Sequence, residues 1–183
     1  MNLGDHLKYF LKGVIVVSLN ILSLLGGSVP DAPGPKEGQA APLFSALDQN
    51  SQMVNLSQFK NKSNVILYFY PKDDTPGCTA QACNLRDNIG AIKAMDAVIL
   101  GVSADDVASH QEFAQKYQLP FSLLADPSKE LINKYGVAMP LVGIAKRWTF
   151  IIGKDGVIKK IIKDVKSSAH DSQVLETLRL LKP

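Results

Sequence analysis

The chain is poor in the residues that build disulfide frameworks and metal sites. Its 183 residues include two cysteines, three histidines and one tryptophan. Four residues separate Cys78 from Cys83, so the C-x-x-C spacing of disulfide oxidoreductases is absent. The histidines, His6, His110 and His170, are isolated and show no ligand spacing. The sequence therefore predicts no metal site.

Strong charge of one sign is also missing. The formal net charge is +3, and the longest basic run is the pair Lys159-Lys160. Scattered basic residues are typical of a solvated surface rather than of a nucleic-acid footprint, so no nucleic-acid partner is predicted. The composition, with 46% hydrophobic and 20% charged residues, suits one globular domain and an N-terminal appendage.

The N-terminal segment differs from the rest of the chain. Lysines precede an uncharged apolar stretch, residues 13–29, which ends in small residues. This layout predicts a secretory signal peptide over residues 1–29 with cleavage after Ser28. A membrane anchor through residues 13–29 is the alternative, because the stretch is at the short limit for spanning a bilayer. We expect export to the periplasm or cell envelope, or membrane attachment; a soluble helix and a cytoplasmic location are the competing interpretation.

The proline-rich residues 30–37 predict a stiff, extended linker. Strand and helix signals then alternate through residues 38–183, which would form the globular domain. Two apolar runs, Asn64–Tyr70 and Ala97–Ser103, are separated by a helical segment and predict a right-handed parallel crossover. The other predicted elements are an early hairpin (43–47 and 53–55), a helical turn (56–59), helices at 105–116, 129–135 and 171–182, a strand at 121–125, and a hairpin (147–152 and 157–165). This order predicts an α/β fold with a mixed sheet and helices on both faces.

Both cysteines lie in one stretch, Tyr70–Cys83, directly after the first buried strand. Prolines and a glycine punctuate its beginning, and good helix formers follow from Cys78 onward. Cys78 is therefore predicted in the first turn of a helix, where free N–H groups and the helix dipole stabilise a negative charge. Two cysteines alone would fit small buried hydrophobic residues equally well, but the surrounding loop favours a thiolate nucleophile.

The same stretch resembles the active site of peroxiredoxins. Pro71-x-x-x-Thr75-x-x-Cys78 matches the motif of that family. The longer string from Tyr70 to Cys83, with the residues that follow it, is similar to the bacterioferritin-comigratory-protein or peroxiredoxin Q branch of the AhpC/TSA family. Further matching segments are Gly101–Asp105, Leu124–Pro127 and Arg147–Ile152. The resemblance begins near Gly38, continues to the C-terminus, and implies a thioredoxin-like fold.

The resemblance implies a role for each site residue. Cys78 would be the peroxidatic nucleophile, and Cys83 the resolving cysteine that joins it in a disulfide. Thr75 would supply a hydroxyl to the peroxide, and Arg147 would stabilise the thiolate and orient the substrate. Pro71 would shield the thiolate from water. The implied activity is reduction of hydrogen peroxide and organic hydroperoxides in antioxidant defence, without a cofactor, by a monomer that thioredoxin or a thioredoxin-like protein recycles.

Helix geometry adds a condition to the Cys78–Cys83 disulfide. Residues five apart on a regular helix have Cα atoms about 8.6 Å apart. A disulfide requires Cα atoms within about 7 Å. The first turns of the helix would therefore have to unwind before the two sulfurs could bond.

Other interpretations of these residues remain open from the sequence alone. Thr75 could be a helix N-cap before Pro76, Pro71 a turn that ends a strand, and Arg147 a surface residue. Asp73 and Asp74 are expected to form a solvated turn. The rival functions are a thioredoxin-like disulfide oxidoreductase or redox sensor, and an exported non-enzymatic domain with a structural disulfide.

Overall fold

The computed structural model describes residues 34–181. The predicted signal peptide or anchor, residues 1–29, and the first half of the predicted linker, residues 30–33 of 30–37, lie outside the described residues. Within the described part of the chain, no helix has the length and apolar character needed to cross a membrane.

A five-stranded mixed sheet is the framework of the described residues. In chain order, the elements are strands β1 (Ser45–Leu47) and β2 (Met53–Asn55), a 3-10 helix (Leu56–Phe59), β3 (Asn64–Phe69), helices α1 (Pro76–Asp87) and α2 (Ile89–Lys93), β4 (Ala97–Ser103), α3 (Val107–Tyr117), β5 (Ser122–Ala125), α4 (Glu130–Lys134), β6 (Thr149–Ile152), β7 (Ile158–Ile162) and α5 (His170–Leu180). The strand order is β5-β4-β3-β6-β7, while β1 and β2 pair separately. Strands β3, β4 and β5 are parallel, and β6 and β7 are antiparallel additions.

Hydrophobic cores cover both faces of this sheet. Side chains alternate between the two faces along β3. One set packs with α4 and the β1–β2 hairpin (Val65, Leu67, Phe69). The other set packs with α1, α2, α3 and α5 (Ile66, Tyr68). Burial on both faces explains the continuous apolar run of β3, and the thioredoxin-like α/β fold expected from the sequence is confirmed.

Helix α1 begins where the sequence predicts. Thr75 occupies the N-cap position with extended backbone angles, and Pro76 follows at the first helical position, where its missing N–H costs nothing. The helix then continues without a break through both cysteines to Asp87. Cys78 is thereby fixed in the first turn.

Helix α5 depends on α1 for its first turn. Its N-cap residue, Ala169, has no side chain that could accept from the free N–H groups. The side-chain oxygen of Asn84, in α1, instead accepts a hydrogen bond of 2.7 Å from the backbone N–H of Asp171. The beginning of α5 is therefore capped by the helix that carries the cysteines.

The last hairpin is shorter than predicted. Strand β6 begins at Thr149 rather than at Arg147, and β7 ends at Ile162 rather than at Val165. Arg147 lies in a bend just before β6. Its side chain is consequently free of the alternation that a strand would impose.

Candidate active site

Cys78 is a nearly buried, free thiol. Its residue is 2% exposed, and it lies in the first turn of α1, close to the helix end that carries unpaired N–H groups. The end of β3 and the loop of residues 70–75 lead into this turn. Because β3 is the central strand, the thiol lies near the middle of the sheet, at the C-terminal end of β3.

Arg147 contacts the thiol directly. Its Nη2 atom donates to the Sγ atom of Cys78 at 3.2 Å. The guanidinium also lies against Gly77, where an added Cβ would come within 3.3 Å of Nη2. Arg147 is thus neither the surface residue nor the first strand residue that the sequence allowed. The structure brings together the two residues that the resemblance pairs, although the role of each remains a prediction.

The hydroxyl of Thr75 does not cap α1. Thr75 occupies the N-cap position, but its Oγ1 donates to the carbonyl oxygen of Lys72 at 3.1 Å, and no cap hydrogen bond is present. The N-cap interpretation therefore holds for the backbone and fails for the side chain. Pro71 is half-buried between β3 and this loop.

Cys83 is half-buried and free, five positions beyond Cys78 in the same unbroken helix. Regular helix geometry places the two Cα atoms about 8.6 Å apart, beyond disulfide range. The described conformation is therefore one in which the two sulfurs cannot bond.

A chain of buried polar side chains lies behind Arg147, and the sequence reasoning missed it. Nη1 of Arg147 donates to Oε1 of Gln81, which lies on α1. Nε2 of Gln81 is 3.1 Å from Nδ1 of His170, and Nε2 of His170 is 2.9 Å from Oγ1 of Thr149. Gln81, His170 and Thr149 are fully buried. The only sequence signal was the position of Gln81, three residues after Cys78 and hence on the same side of the helix.

Burial sets the charge of His170. Loss of hydration lowers its pKa to about 4, and the nearby positive charge of Arg147 acts in the same direction, whereas Asp171 acts in the opposite direction. His170 is therefore a neutral imidazole at neutral pH.

Asp73 contradicts the prediction of a solvated turn. Its carboxylate is buried and accepts hydrogen bonds from the Tyr70 hydroxyl at 2.7 Å, from Ser109 Oγ at 2.8 Å and from His110 Nδ1 at 2.8 Å. Ser109 and His110 belong to α3. The physical reason is that the Asp73 carboxylate points away from solvent and binds the loop before α1 to helix α3.

The prediction of a solvated position fits Asp74, the next residue. Its backbone adopts a positive φ of 53°, and its exposed carboxylate bonds to Lys116 Nζ at 2.6 Å and to the Tyr117 hydroxyl at 2.7 Å. These hydrogen bonds lower the pKa of Asp74. The two adjacent aspartates therefore anchor the same loop, Asp73 through buried hydrogen bonds and Asp74 through exposed ones.

The described residues contain no cluster of three or more histidine, cysteine or acidic side chains that could hold a metal ion. The Arg147 guanidinium contacts the thiol, and the amide of Gln81 and the neutral imidazole of His170 follow behind it in the hydrogen-bond chain. Such a set can stabilise an anionic sulfur and a developing oxyanion without further components.

Comparisons with known proteins agree with this geometry. The model of the AhpC/TSA family matches residues 37–161. A putative peroxiredoxin bcp of Coxiella burnetii is 42% identical over 147 residues, covering 77% of this chain and 97% of that protein. A chloroplastic peroxiredoxin Q of Oryza sativa subsp. japonica is also 42% identical, covering 80% of this chain; the chain spans only 66% of that protein's length.

Solved structures show the same likeness. The peroxidoxin BcpB of Mycobacterium tuberculosis superimposes with a TM-score of 0.76 at 32% identity, covering 81% of this chain and 99% of that one. A cysteine-to-serine mutant of PrxQ from Xylella fastidiosa gives a TM-score of 0.76 at 28% identity, covering 82% and 99%. The likeness therefore covers about four fifths of this chain and nearly the whole of each solved chain.

Proposed function

The chain belongs to the AhpC/TSA family and to the peroxiredoxins, which are thiol-dependent peroxidases, and we propose that it reduces hydrogen peroxide and organic hydroperoxides through Cys78. The observation that carries this proposal is the 3.2 Å contact between Arg147 Nη2 and Cys78 Sγ at the beginning of α1. A fixed cation and a helix N-terminus on one sulfur both favour its thiolate form.

In the first step, the Cys78 thiolate attacks one peroxide oxygen. A sulfur–oxygen bond forms and the oxygen–oxygen bond breaks, so Cys78 is oxidised to a sulfenic acid. The departing oxygen carries the electron pair away, takes up a proton and leaves as water or an alcohol. Arg147 stabilises the negative charge as it moves from the sulfur to this oxygen, which is where a preorganised donor lowers the barrier most.

Thr75 and Pro71 would complete the peroxide site. The Thr75 hydroxyl already donates to the Lys72 carbonyl, so its remaining lone pairs are free to accept the O–H of a bound hydroperoxide. That hydrogen bond would hold the substrate while Arg147 acts on its oxygens. Pro71 has no N–H to donate and is half-buried beside the loop, which suits a water-excluding role.

In the second step, Cys83 attacks the sulfenic sulfur of Cys78. A disulfide forms and water leaves. Because the unbroken helix keeps the two cysteines too far apart, we propose that the first turns of α1 unwind between the two steps. A dithiol of the thioredoxin type then reduces the disulfide by exchange.

Resolution within one chain requires no second subunit, and we therefore propose a monomer. Export or membrane attachment through residues 13–29, ahead of a domain over residues 38–183, is proposed from the composition of the sequence alone. A disulfide oxidoreductase or redox sensor is less favoured, because the relatives at 42% identity are named peroxiredoxins.

The test uses the reduced full-length protein in a stopped-flow instrument. Trp148, the only tryptophan, directly follows Arg147, so its fluorescence is a suitable reporter of the site. We expect rapid oxidation by hydrogen peroxide, and continued peroxide consumption when thioredoxin, thioredoxin reductase and NADPH are added. Cys78→Ser should abolish both. A Cys78→Ser variant that consumes peroxide at the wild-type rate would exclude the proposal.

A further inference from the structure

The hydrogen-bond chain from Arg147 to Thr149 can run in only one direction. A guanidinium has donors and no acceptor, so Gln81 must turn its oxygen toward Arg147. The amide nitrogen of Gln81 then faces Nδ1 of His170 and donates to it. Nδ1 must therefore carry a lone pair, which places the single imidazole proton on Nε2, from where it is donated to Thr149 Oγ1.

The surroundings of His170 preserve this arrangement. Arg147 is the positive group that faces the ring, and Asp171, on the same helix, is the negative one. From β3, the ring of Tyr68 packs edge-on with its centroid 6.0 Å away. An imidazolium would have donors on both nitrogens, and the amide of Gln81 would then face a donor on one side or the other. A second proton on His170 is thus incompatible with the contact between Gln81 and Arg147.

We propose that His170, as a neutral imidazole with its proton on Nε2, is a positioning residue for peroxide reduction: it fixes the amide of Gln81, which in turn aims Arg147 at the sulfur of Cys78. His170 touches neither sulfur nor substrate and acts only through these two side chains. The inference rests on the proposed role of Cys78 as the nucleophile, and it assigns to α5 a part in the chemistry of α1.

The test compares four variants of the full-length protein. His170→Leu removes the acceptor for Gln81 and fills the buried position with an apolar side chain. His170→Asn keeps a short side chain with an oxygen near the place of Nδ1. Thr149→Val removes the hydroxyl at the far end of the hydrogen-bond chain. Val174→Ala is the control. Val174 is buried on α5, one turn after His170, so the substitution loosens the packing of α5 but leaves the hydrogen-bond chain from Arg147 to Thr149 intact.

The measurement is the rate of the first oxidation by hydrogen peroxide between pH 4 and pH 9. For His170→Leu we expect the rate at pH 7 to fall about tenfold and the midpoint of the rate–pH profile to move up by about one pH unit, the usual size for a displaced charge partner. His170→Asn should restore most of the rate, and Thr149→Val should shift the midpoint in the same direction by less. Val174→Ala should lower the melting temperature and leave the midpoint in place.

Two results would overturn the inference. The first is a midpoint in folded His170→Leu equal to that of the wild type. The second is an equal shift in Val174→Ala, which would show that the docking of α5 alone is responsible. If His170→Leu does not fold, nitrogen NMR of the wild type decides: the Nε2–H tautomer at pH 7 supports the inference, and an Nδ1–H tautomer or an imidazolium refutes it. Failure of the proposed function is distinguishable, because the wild type itself would then not react with peroxide.

Discussion

The Nη2 atom of Arg147 lies 3.2 Å from the Sγ atom of Cys78, although 69 positions separate the two residues in the sequence. Strand pairing brings them together. Strand β6 runs antiparallel to β3, with Thr149 opposite Tyr68, so the residues just before β6 lie beside the end of β3. The loop that leaves this end of β3 carries Cys78 into α1.

The first prediction concerns this contact. Arg147→Lys keeps the charge but loses the planar fork that reaches Cys78 and Gln81 at the same time. Arg147→Gln also removes the charge. Because one preorganised donor is commonly worth about 10²–10³ in rate, we expect the first-oxidation rate to fall at least tenfold in the lysine variant and about a hundredfold or more in the glutamine variant.

Lys146→Gln is the matched control for Arg147, because Lys146 is the neighbouring cation and lies over the ring of Trp148 rather than at the thiol. Its rate in the same stopped-flow assay should stay near that of the wild type. An equal loss in both positions would point to general surface charge rather than to the contact with Cys78.

The second prediction separates the two cysteines. Cys83→Ser should retain the first reaction with peroxide, since Cys83 is not in contact with the reacting sulfur in the unbroken helix. No disulfide should form, and intact-mass spectrometry should show Cys78 as a sulfenic acid and then in higher oxidation states. Loss of the first fast step in this variant would mean that the roles of the two cysteines are wrongly assigned.

The third prediction concerns the loop before α1. Asp73→Asn replaces a buried carboxylate that accepts three hydrogen bonds with an amide that must also place two donors. Since leaving buried polar groups unsatisfied costs about 1–3 kcal/mol, the free energy of unfolding should fall by about that amount. Urea denaturation measures the change.

Asp74→Asn is the control for Asp73, because it changes the same chemical group one position away, on the exposed side of the loop. Asparagine also tolerates the positive φ at this position. The stability of Asp74→Asn should stay close to that of the wild type. Equal stability of the two variants would contradict the anchoring role of Asp73.

The fourth prediction follows from the charge state of His170. Its pKa is lowered to about 4 in the folded protein, so between about pH 4 and pH 6.5 the unfolded state binds the proton more readily than the folded state. The contribution of His170 to stability is therefore fully present above pH 6.5 and is lost as the pH falls toward 4. This difference in the pKa of His170 between the unfolded and the folded state corresponds to about 3 kcal/mol.

Urea denaturation of the wild type and of His170→Asn at pH 7 and pH 4.5 tests this linkage. The wild type should lose more stability between the two pH values than the variant, which has no imidazole to protonate at this position. Parallel losses in the two proteins would show that His170 does not contribute to acid sensitivity.

Local patterns were sufficient to predict most of the fold. The apolar runs of β3 and β4 and the Thr75-Pro76 helix start are all visible within short windows of sequence. The end of β6 is also predictable, because Gly153 begins the turn there. The predicted beginning of β6 is two residues early: Trp148 still accepts one backbone hydrogen bond from Phe69, but Arg147 lies in a bend. Arg147 was linked to Cys78 through the family resemblance, not through any local signal.

The hydrogen-bond chain behind Arg147 could not be predicted, because its contacts join distant parts of the sequence. Gln81 and His170 are 89 positions apart and meet only after α1 and α5 pack on the same face of the sheet. A glutamine in an ordinary helix carries no pattern that announces a buried partner. The burial of Asp73 was missed for a similar reason. Two adjacent aspartates in a loop are normally solvated, and the loop sequence does not show that Ser109 and His110 of α3 pack against it.

The cap that Asn84 provides for α5 makes the C-terminal helix a remote indicator of the state of the sulfurs. If the unwinding of α1 that lets Cys78 and Cys83 bond extends one residue further, to Asn84, this side chain leaves the amide of Asp171, and that amide then exchanges its hydrogen for deuterium faster. Oxidation of the cysteines in α1 would thus be detected as fraying of the first turn of α5, a helix that contains no cysteine.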